Sequence, residues 1–84
     1  MDWTVYILEC GDGSLYTGIT NRLDERLSAH RNGTGAKYTR GRGPLRLVFT
    51  EMCQDRSAAS QREHHIKTLG RAAKLALITQ QNPR

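Results

Sequence analysis

The chain has 84 residues and a formal net charge of +5, a length that provides one hydrophobic core and no second domain to hold a substrate. No apolar run approaches the roughly 20 residues of a membrane span, and the first residues lack the basic and apolar segments of a signal peptide. We therefore expect one domain over residues 1–84, cytoplasmic, without a membrane partner and monomeric by default. Cys10 and Cys53 are the only cysteines, which fits a reducing compartment and excludes a site made of paired thiolates.

Two short apolar runs near the start predict a β-hairpin. Residues 4–8 and 15–19 have the composition of strands. Gly11-Asp12-Gly13 between them is typical of the turn that joins two antiparallel strands.

The register of this hairpin would bring two tyrosines together. Pairing of Cys10 with Ser14 across the turn places Tyr6 opposite Gly18. Because side chains alternate between the two faces of a strand, Tyr6 and Tyr16 then lie on one face as diagonal neighbours, within reach of a shared small group. The simpler alternative is that tyrosine is merely common in strands.

A helix is predicted over residues 22–31, with Asn21 as its N-cap and Asn32-Gly33 as its end. On this helix, Arg26 and His30 lie four residues apart and form a stripe beside the apolar one. Together they offer a cation and a proton-transfer group one turn apart, as phosphoryl chemistry requires. Alternatively, they are ordinary residues at the boundary of the core.

The positive charge is concentrated after this helix. Residues 31–46 contain five basic side chains and no acidic one, and their glycines would let the segment approach a phosphate backbone closely. The candidate nucleic-acid contacts are Arg31, Lys37, Tyr38, Arg40 and Arg42. The alternative is a solvated loop whose charges only confer solubility.

The remaining elements complete the predicted order β-β-α-β-α-α. A third strand is expected over residues 45–51. A helix over residues 56–69, capped by Asp55, and a last helix over residues 71–79 follow it.

Glu63 occupies an unusual position on the inner face of the second helix. Burying an unpaired carboxylate costs several kcal/mol, roughly, so this side chain needs a partner. The partner is either Lys67, four residues further on, or a divalent cation such as Mg²⁺. His64 and His65 point in different directions and are predicted to lie on the surface.

Two short motifs and three separate residues carry a family resemblance: Val5-Tyr6-Ile7, Tyr16-Thr17-Gly18, Arg26, His30 and Glu63. They resemble the GIY-YIG nuclease superfamily, although neither Gly nor Ile precedes Tyr6 and Thr17 replaces the central isoleucine of the second motif. Nearly the whole chain, including residues 33–37 and 47–49, is similar to the small stand-alone bacterial members of the YhbQ-like group.

The resemblance implies an α+β fold in which helices flank a three-stranded antiparallel sheet. It also implies an endonuclease that hydrolyses nucleic-acid phosphodiesters, DNA more than RNA, with Mg²⁺ or Mn²⁺. The implied roles are catalytic for Tyr6, Tyr16, Arg26 and His30, and metal-binding for Glu63. Which tyrosine acts as the general base stays open.

One departure from the family pattern leaves other functions open. Family members often place an asparagine after the glutamate-bearing helix, where this chain has Leu75-Ala76-Leu77 and the next asparagine is Asn82. The domain could therefore be a DNA- or RNA-binding module that no longer cuts. It could also be an interaction domain of repair or ribosomal complexes.

Overall fold

A computed structural model describes residues 2–82 as an antiparallel sheet of three strands with three α-helices. The elements are β1 (Trp3–Glu9), β2 (Leu15–Thr20), α1 (Leu23–Arg31), a short 3-10 turn (Lys37–Thr39), β3 (Arg46–Cys53), α2 (Arg56–Thr68) and α3 (Arg71–Gln81). The order of strands in the sheet is β2-β1-β3, so β1 is central. The predicted fold class and element order are confirmed.

The predicted hairpin register is also confirmed. The Cys10 amide donates to the Ser14 carbonyl over 2.8 Å, and Tyr6 lies opposite Gly18 while Leu8 lies opposite Tyr16. Both phenols therefore share one face of the sheet.

The two faces of the sheet are filled differently. Val5 and Ile7 of β1 pack with Phe49, Ala59 and Ile66 in a hydrophobic core, and we call this side the apolar face. The intervening residues of β1 point the other way. On that side, which we call the tyrosine face, the buried cluster consists of Tyr6, Leu8 and Leu27, with Tyr16 packed against it.

The first helix begins one residue later than predicted. Arg22, not Asn21, is its N-cap, and no side chain caps it. The reason is local: the Thr20 hydroxyl at the end of β2 accepts a hydrogen bond from the Arg22 amide over 3.0 Å. The other end agrees with the sequence, since α1 stops at Arg31 and Gly33 adopts a φ of +80°.

The last two helices begin as predicted but differ at their ends. The Asp55 carboxylate accepts from the Ala58 amide over 2.8 Å and caps α2. The last helix runs two residues beyond the predicted end, to Gln81. Within residues 2–82, every helix is too short or too polar to cross a bilayer.

The C-terminal end of α3 is fastened to the outer edge of β3. The Gln81 side-chain amide both accepts from the Thr50 amide, over 2.9 Å, and donates to the Thr50 carbonyl. The Asn82 side chain donates to the Val48 carbonyl over 3.0 Å. Asn82 therefore has a structural role at the edge strand, whereas the predicted catalytic side chains lie on the tyrosine face.

Candidate active site

A glycine gives the first motif tyrosine its position. Tyr6 is fully buried, and the tip of its ring lies directly over Gly18 on the neighbouring strand. A Cβ atom on Gly18 would stand only 2.5 Å from the Tyr6 hydroxyl oxygen, so no other residue fits beneath the ring. From this position the hydroxyl reaches α1, where it lies 2.8 Å from His30 Nε2.

Three rings form a compact cluster around that hydrogen bond. The Tyr16 ring centroid is 6.3 Å from that of Tyr6 and 5.3 Å from that of His30. Tyr16 is half-buried, whereas Tyr6 and His30 are fully buried. Of these three side chains, Tyr16 is thus the one that solvent reaches.

Arg26 joins the cluster from the preceding turn of α1. Its guanidinium lies near the Tyr6 hydroxyl and, with a weaker effect, near Tyr16, and these neighbours raise the pKa of Arg26. The structure thus brings all four side chains with a predicted catalytic role into one site: Tyr6, Tyr16, Arg26 and His30.

The electrostatics favour the neutral forms of the buried pair. Burial raises the pKa of Tyr6, and this outweighs the effect of the nearby Arg26 guanidinium, which lowers it. Burial lowers the pKa of His30, and the positive charge of Arg26 adds to that effect. At neutral pH the phenol and the imidazole are therefore both uncharged and share one hydrogen bond.

Glu63 lies close enough to this cluster to influence it. Its negative charge contributes to the raised pKa of Tyr6. The carboxylate is half-buried and pairs with Lys67 over 3.2 Å, the structural alternative that the sequence offered.

The donor set around Glu63 is small. Across residues 2–82, no three His, Cys, Asp or Glu side chains come together in a way that could hold a metal ion. A single carboxylate nevertheless fits Mg²⁺ or Mn²⁺, because such hard cations are often held by one or two carboxylates and complete their shell with water and phosphate oxygens.

The basic segment is docked onto the tyrosines. Tyr38, 42% exposed, stacks on Tyr16 with 5.7 Å between ring centroids. The Arg42 guanidinium lies 4.5 Å from the Tyr38 ring centroid and forms an ion pair with Asp12 at 2.7 Å. The part of this segment around Tyr38 is therefore packed against the tyrosine cluster.

The other basic side chains of this segment face solvent. Arg40 donates to the Gly33 carbonyl over 3.1 Å. Arg31 and Lys37 are exposed and form no ion pair within the described part of the chain. These three cations border the tyrosine cluster, since Arg31 follows His30 and Lys37 precedes Tyr38.

Two residues of the site were not predicted from the sequence. The Thr39 hydroxyl lies 2.8 Å from His30 Nδ1, and a Cβ on Gly35 would stand 2.7 Å from the same nitrogen. Both belong to the loop after α1, whose path no periodic pattern indicates. The cradle at Gly18 did have a signal, because the predicted register already placed a glycine opposite Tyr6.

The sequence of this chain is similar to that of known proteins. A family model described as the GIY-YIG catalytic domain matches residues 2–76. The UPF0213 protein CPE1444 of Clostridium perfringens is 57% identical over 75 residues, which cover 89% of this chain and 81% of the relative.

Two solution NMR structures are also similar. The UPF0213 protein BH0048 from Bacillus halodurans has a TM-score of 0.62 and 49% identity, covering 94% of this chain and 84% of its own. The protein EF2693 from E. faecalis has a TM-score of 0.68 and 36% identity, covering 100% of this chain and 90% of its own. The names of these relatives state no activity.

Proposed function

This chain belongs to the GIY-YIG family, whose domain has a nuclease-type fold, and we propose that it is a metal-dependent endonuclease that hydrolyses nucleic-acid phosphodiesters, with DNA favoured over RNA. One observation carries the proposal. A proton donor and acceptor, Tyr6 and His30, lie near the cation of Arg26, and the charge of the Glu63 carboxylate acts on Tyr6.

Substrate binding is assigned to the basic segment. Arg31, Lys37 and Arg40 are exposed cations next to the aromatic cluster and would contact phosphates, which fixes the position of the strand without reading its sequence. Tyr38 and Arg42 form the stacked part of the same surface.

Proton transfer is assigned to the Tyr6–His30 pair. A free phenol with a pKa near 10 is ionised in only about one molecule per thousand at pH 7, so a tyrosine base needs a group that takes its proton. The Tyr6 hydroxyl has such a group in His30 Nε2 at 2.8 Å. Tyr16 is the phenol that a water molecule can reach, so both tyrosines stay candidates for the general base.

Charge stabilisation is assigned to Arg26 and Glu63. The Arg26 guanidinium is held beside both phenols, where it can stabilise the negative charge that develops on the phosphate. A divalent cation on Glu63 would neutralise a phosphate oxygen and activate water. Glu63 can leave Lys67 cheaply, since an i,i+4 pair contributes only about 0.2–0.5 kcal/mol.

A binding module without catalysis is the second candidate, and two observations favour it. Glu63 already has a partner in Lys67, and Asn82 is held at the edge of β3. This alternative predicts salt-sensitive binding to nucleic acid without cleavage.

The test is a panel of labelled linear, flap and branched DNAs and RNAs, incubated with Mg²⁺ or Mn²⁺. We expect wild-type protein to cut at least one substrate and Glu63→Gln to abolish cleavage, while affinity without metal is kept or improved. Glu51→Gln is the matched control, because Glu51 on β3 is also half-buried and pairs with Arg62 of α2 at 2.9 Å. This variant should cut normally. Full activity of Glu63→Gln would overturn the metal-dependent mechanism, and binding without cleavage by wild type would favour the binding module.

A further inference from the structure

Both ring nitrogens of His30 are engaged in the buried site. The side chain is 2% exposed. Nε2 lies 2.8 Å from the Tyr6 hydroxyl, and Nδ1 lies 2.8 Å from the Thr39 hydroxyl. A neutral imidazole has one donor nitrogen and one acceptor nitrogen, so the partner of Nδ1 decides what Nε2 can do.

The Thr39 hydroxyl has a second partner that fixes its direction. Its oxygen lies 3.0 Å from the Ala36 carbonyl, which can only accept. The hydroxyl has a single hydrogen, so when it donates to Ala36 its oxygen accepts from His30 Nδ1. His30 then carries its proton on Nδ1 and presents a bare Nε2 to Tyr6.

The opposite tautomer makes poorer contacts. With the proton on Nε2, Nδ1 would accept from the Thr39 hydroxyl over 2.8 Å and from the Ala36 amide over 3.4 Å, the contact that the Nδ1–H tautomer gives up. Donation by the hydroxyl to Nδ1 would leave two oxygens 3.0 Å apart with no hydrogen between them. The Nδ1–H tautomer satisfies the three shorter contacts together.

We propose that Thr39 is a positioning residue that holds His30 in the Nδ1–H tautomer, so that Nε2 is free to accept the Tyr6 proton. The catalytic consequence rests on the nuclease function proposed above. With the other tautomer, Nε2–H would point at the phenol oxygen and His30 could not take a proton from it. Burial lowers the pKa of His30 and keeps the ring neutral, so its single proton lies on either Nδ1 or Nε2.

The same contact ties the basic segment to the catalytic centre. Thr39 follows Tyr38, which stacks on Tyr16, so two consecutive residues attach the segment to the cluster. Gly35 lets the backbone pass close to His30 Nδ1. The contacts of Tyr38 and Thr39 therefore set both the position of the loop and the nitrogen of His30 that carries the proton.

Two-bond ¹H–¹⁵N correlation spectra of protein labelled with ¹⁵N-histidine read the tautomer directly. We expect His30 to show the Nδ1–H pattern in wild type, while the exposed His64 and His65 serve as internal references. Thr39→Val keeps the shape of the side chain but removes the hydroxyl, and should shift His30 toward Nε2–H. Thr39→Ser should restore the wild-type pattern. The control is Thr17→Val, the same chemical change on the apolar face, which should leave His30 unchanged.

Cleavage rates of the same proteins give the second readout. On the best substrate of the panel, Thr39→Val should be slower by at least about tenfold, as expected when a catalytic histidine has the wrong tautomer. Thr39→Ser and Thr17→Val should cut at the wild-type rate.

The spectrum decides the proposal independently of the rates. An Nε2–H pattern in wild type would overturn it, even if Thr39→Val failed to fold, and so would an unchanged Nδ1–H pattern in folded Thr39→Val. If no substrate is cut, the proposed nuclease function fails, whereas the assignment of Thr39 still stands or falls by the spectrum.

Discussion

The apolar face and the tyrosine face are built from alternate residues of β1, and a buried threonine can be compared on each: Thr17 on the apolar face and Thr39 on the tyrosine face. Thr17 is 3% exposed, and its hydroxyl is the only buried side-chain oxygen or nitrogen in residues 2–82 without a hydrogen-bond partner. Thr39 is 2% exposed and has two partners. On the apolar face the Thr17 hydroxyl is buried without a hydrogen-bond partner, whereas on the tyrosine face hydrogen bonds hold Thr39 and His30 in fixed positions.

This difference indicates that the two faces have different roles. The apolar face gains stability by removing side chains such as Ile7 and Ile66 from water. The tyrosine face buries groups that are costly without partners, and its hydrogen bonds hold them in one arrangement. Glu63 is related to both faces. It belongs to α2, which packs on the apolar face, and its charge contributes to the raised pKa of Tyr6 on the tyrosine face.

The largest expected effect is the loss of cleavage rate when the Tyr6 hydroxyl is removed, and it tests whether the tyrosine face takes part in catalysis. Tyr6→Phe removes only the hydroxyl and should slow cleavage by roughly 10² or more. It should also lower the free energy of unfolding by about 1–3 kcal/mol, because His30 Nε2 loses its buried partner.

Tyr16→Phe is the matched comparison for that change. Tyr16 is half-buried, so loss of its hydroxyl should cost less stability. Rates from single-turnover cleavage and unfolding free energies from urea titration separate the two quantities. Wild-type rates in both variants would show that the phenols are structural and that the two faces do not differ as described.

A smaller effect is expected from the charges beside the tyrosine face. Lys37→Ala combined with Arg40→Ala should weaken nucleic-acid binding and flatten the slope of log affinity against log salt by up to about two units, because each cation neutralises roughly one phosphate. The measurement is fluorescence anisotropy with a labelled oligonucleotide between low and moderate salt.

Its control removes equal charge on the other side of the sheet. Arg71→Ala combined with Lys74→Ala changes α3, which packs on the apolar face through Leu77 and Ile78. This variant should keep the wild-type slope. Equal slopes for the two double variants would mean that the segment contributes only net charge and does not contact phosphates.

The smallest effect is expected on the apolar face itself. Thr17→Val replaces an unpartnered buried hydroxyl by a methyl group of the same shape, and should raise the free energy of unfolding by roughly 1 kcal/mol. Thr39→Val should instead lower it. Urea midpoints of the two variants provide the comparison, and a loss of stability in Thr17→Val as large as that in Thr39→Val would contradict the distinction between the faces.

The sequence predicted those parts of the site that depend on local periodicity. The alternation in β1 and β2 and the turn between them determine the register, and the register places Tyr6 beside Tyr16 and opposite Gly18. Helical spacing likewise places Arg26 and His30 one turn apart. These relations span few residues, so local rules suffice for them.

The parts that the sequence did not predict depend on contacts between distant segments. Thr39 meets His30 only because the loop after α1 folds back over the helix. The Thr20 hydroxyl accepts from the Arg22 amide, because β2 brings it to the start of α1, and the helix begins one residue later than expected. Gln81 extends α3 because its amide finds β3, 31 residues away in the chain.

The contact between Gln81 and β3 also occupies part of an edge strand of the sheet. An edge strand offers unpaired amides and carbonyls to any extended peptide, and such edges seed sheet growth between molecules. The Gln81 amide accepts from and donates to the Thr50 backbone as a neighbouring strand would, and Asn82 takes the Val48 carbonyl. While α3 is docked, a foreign strand therefore cannot pair with β3 at these positions.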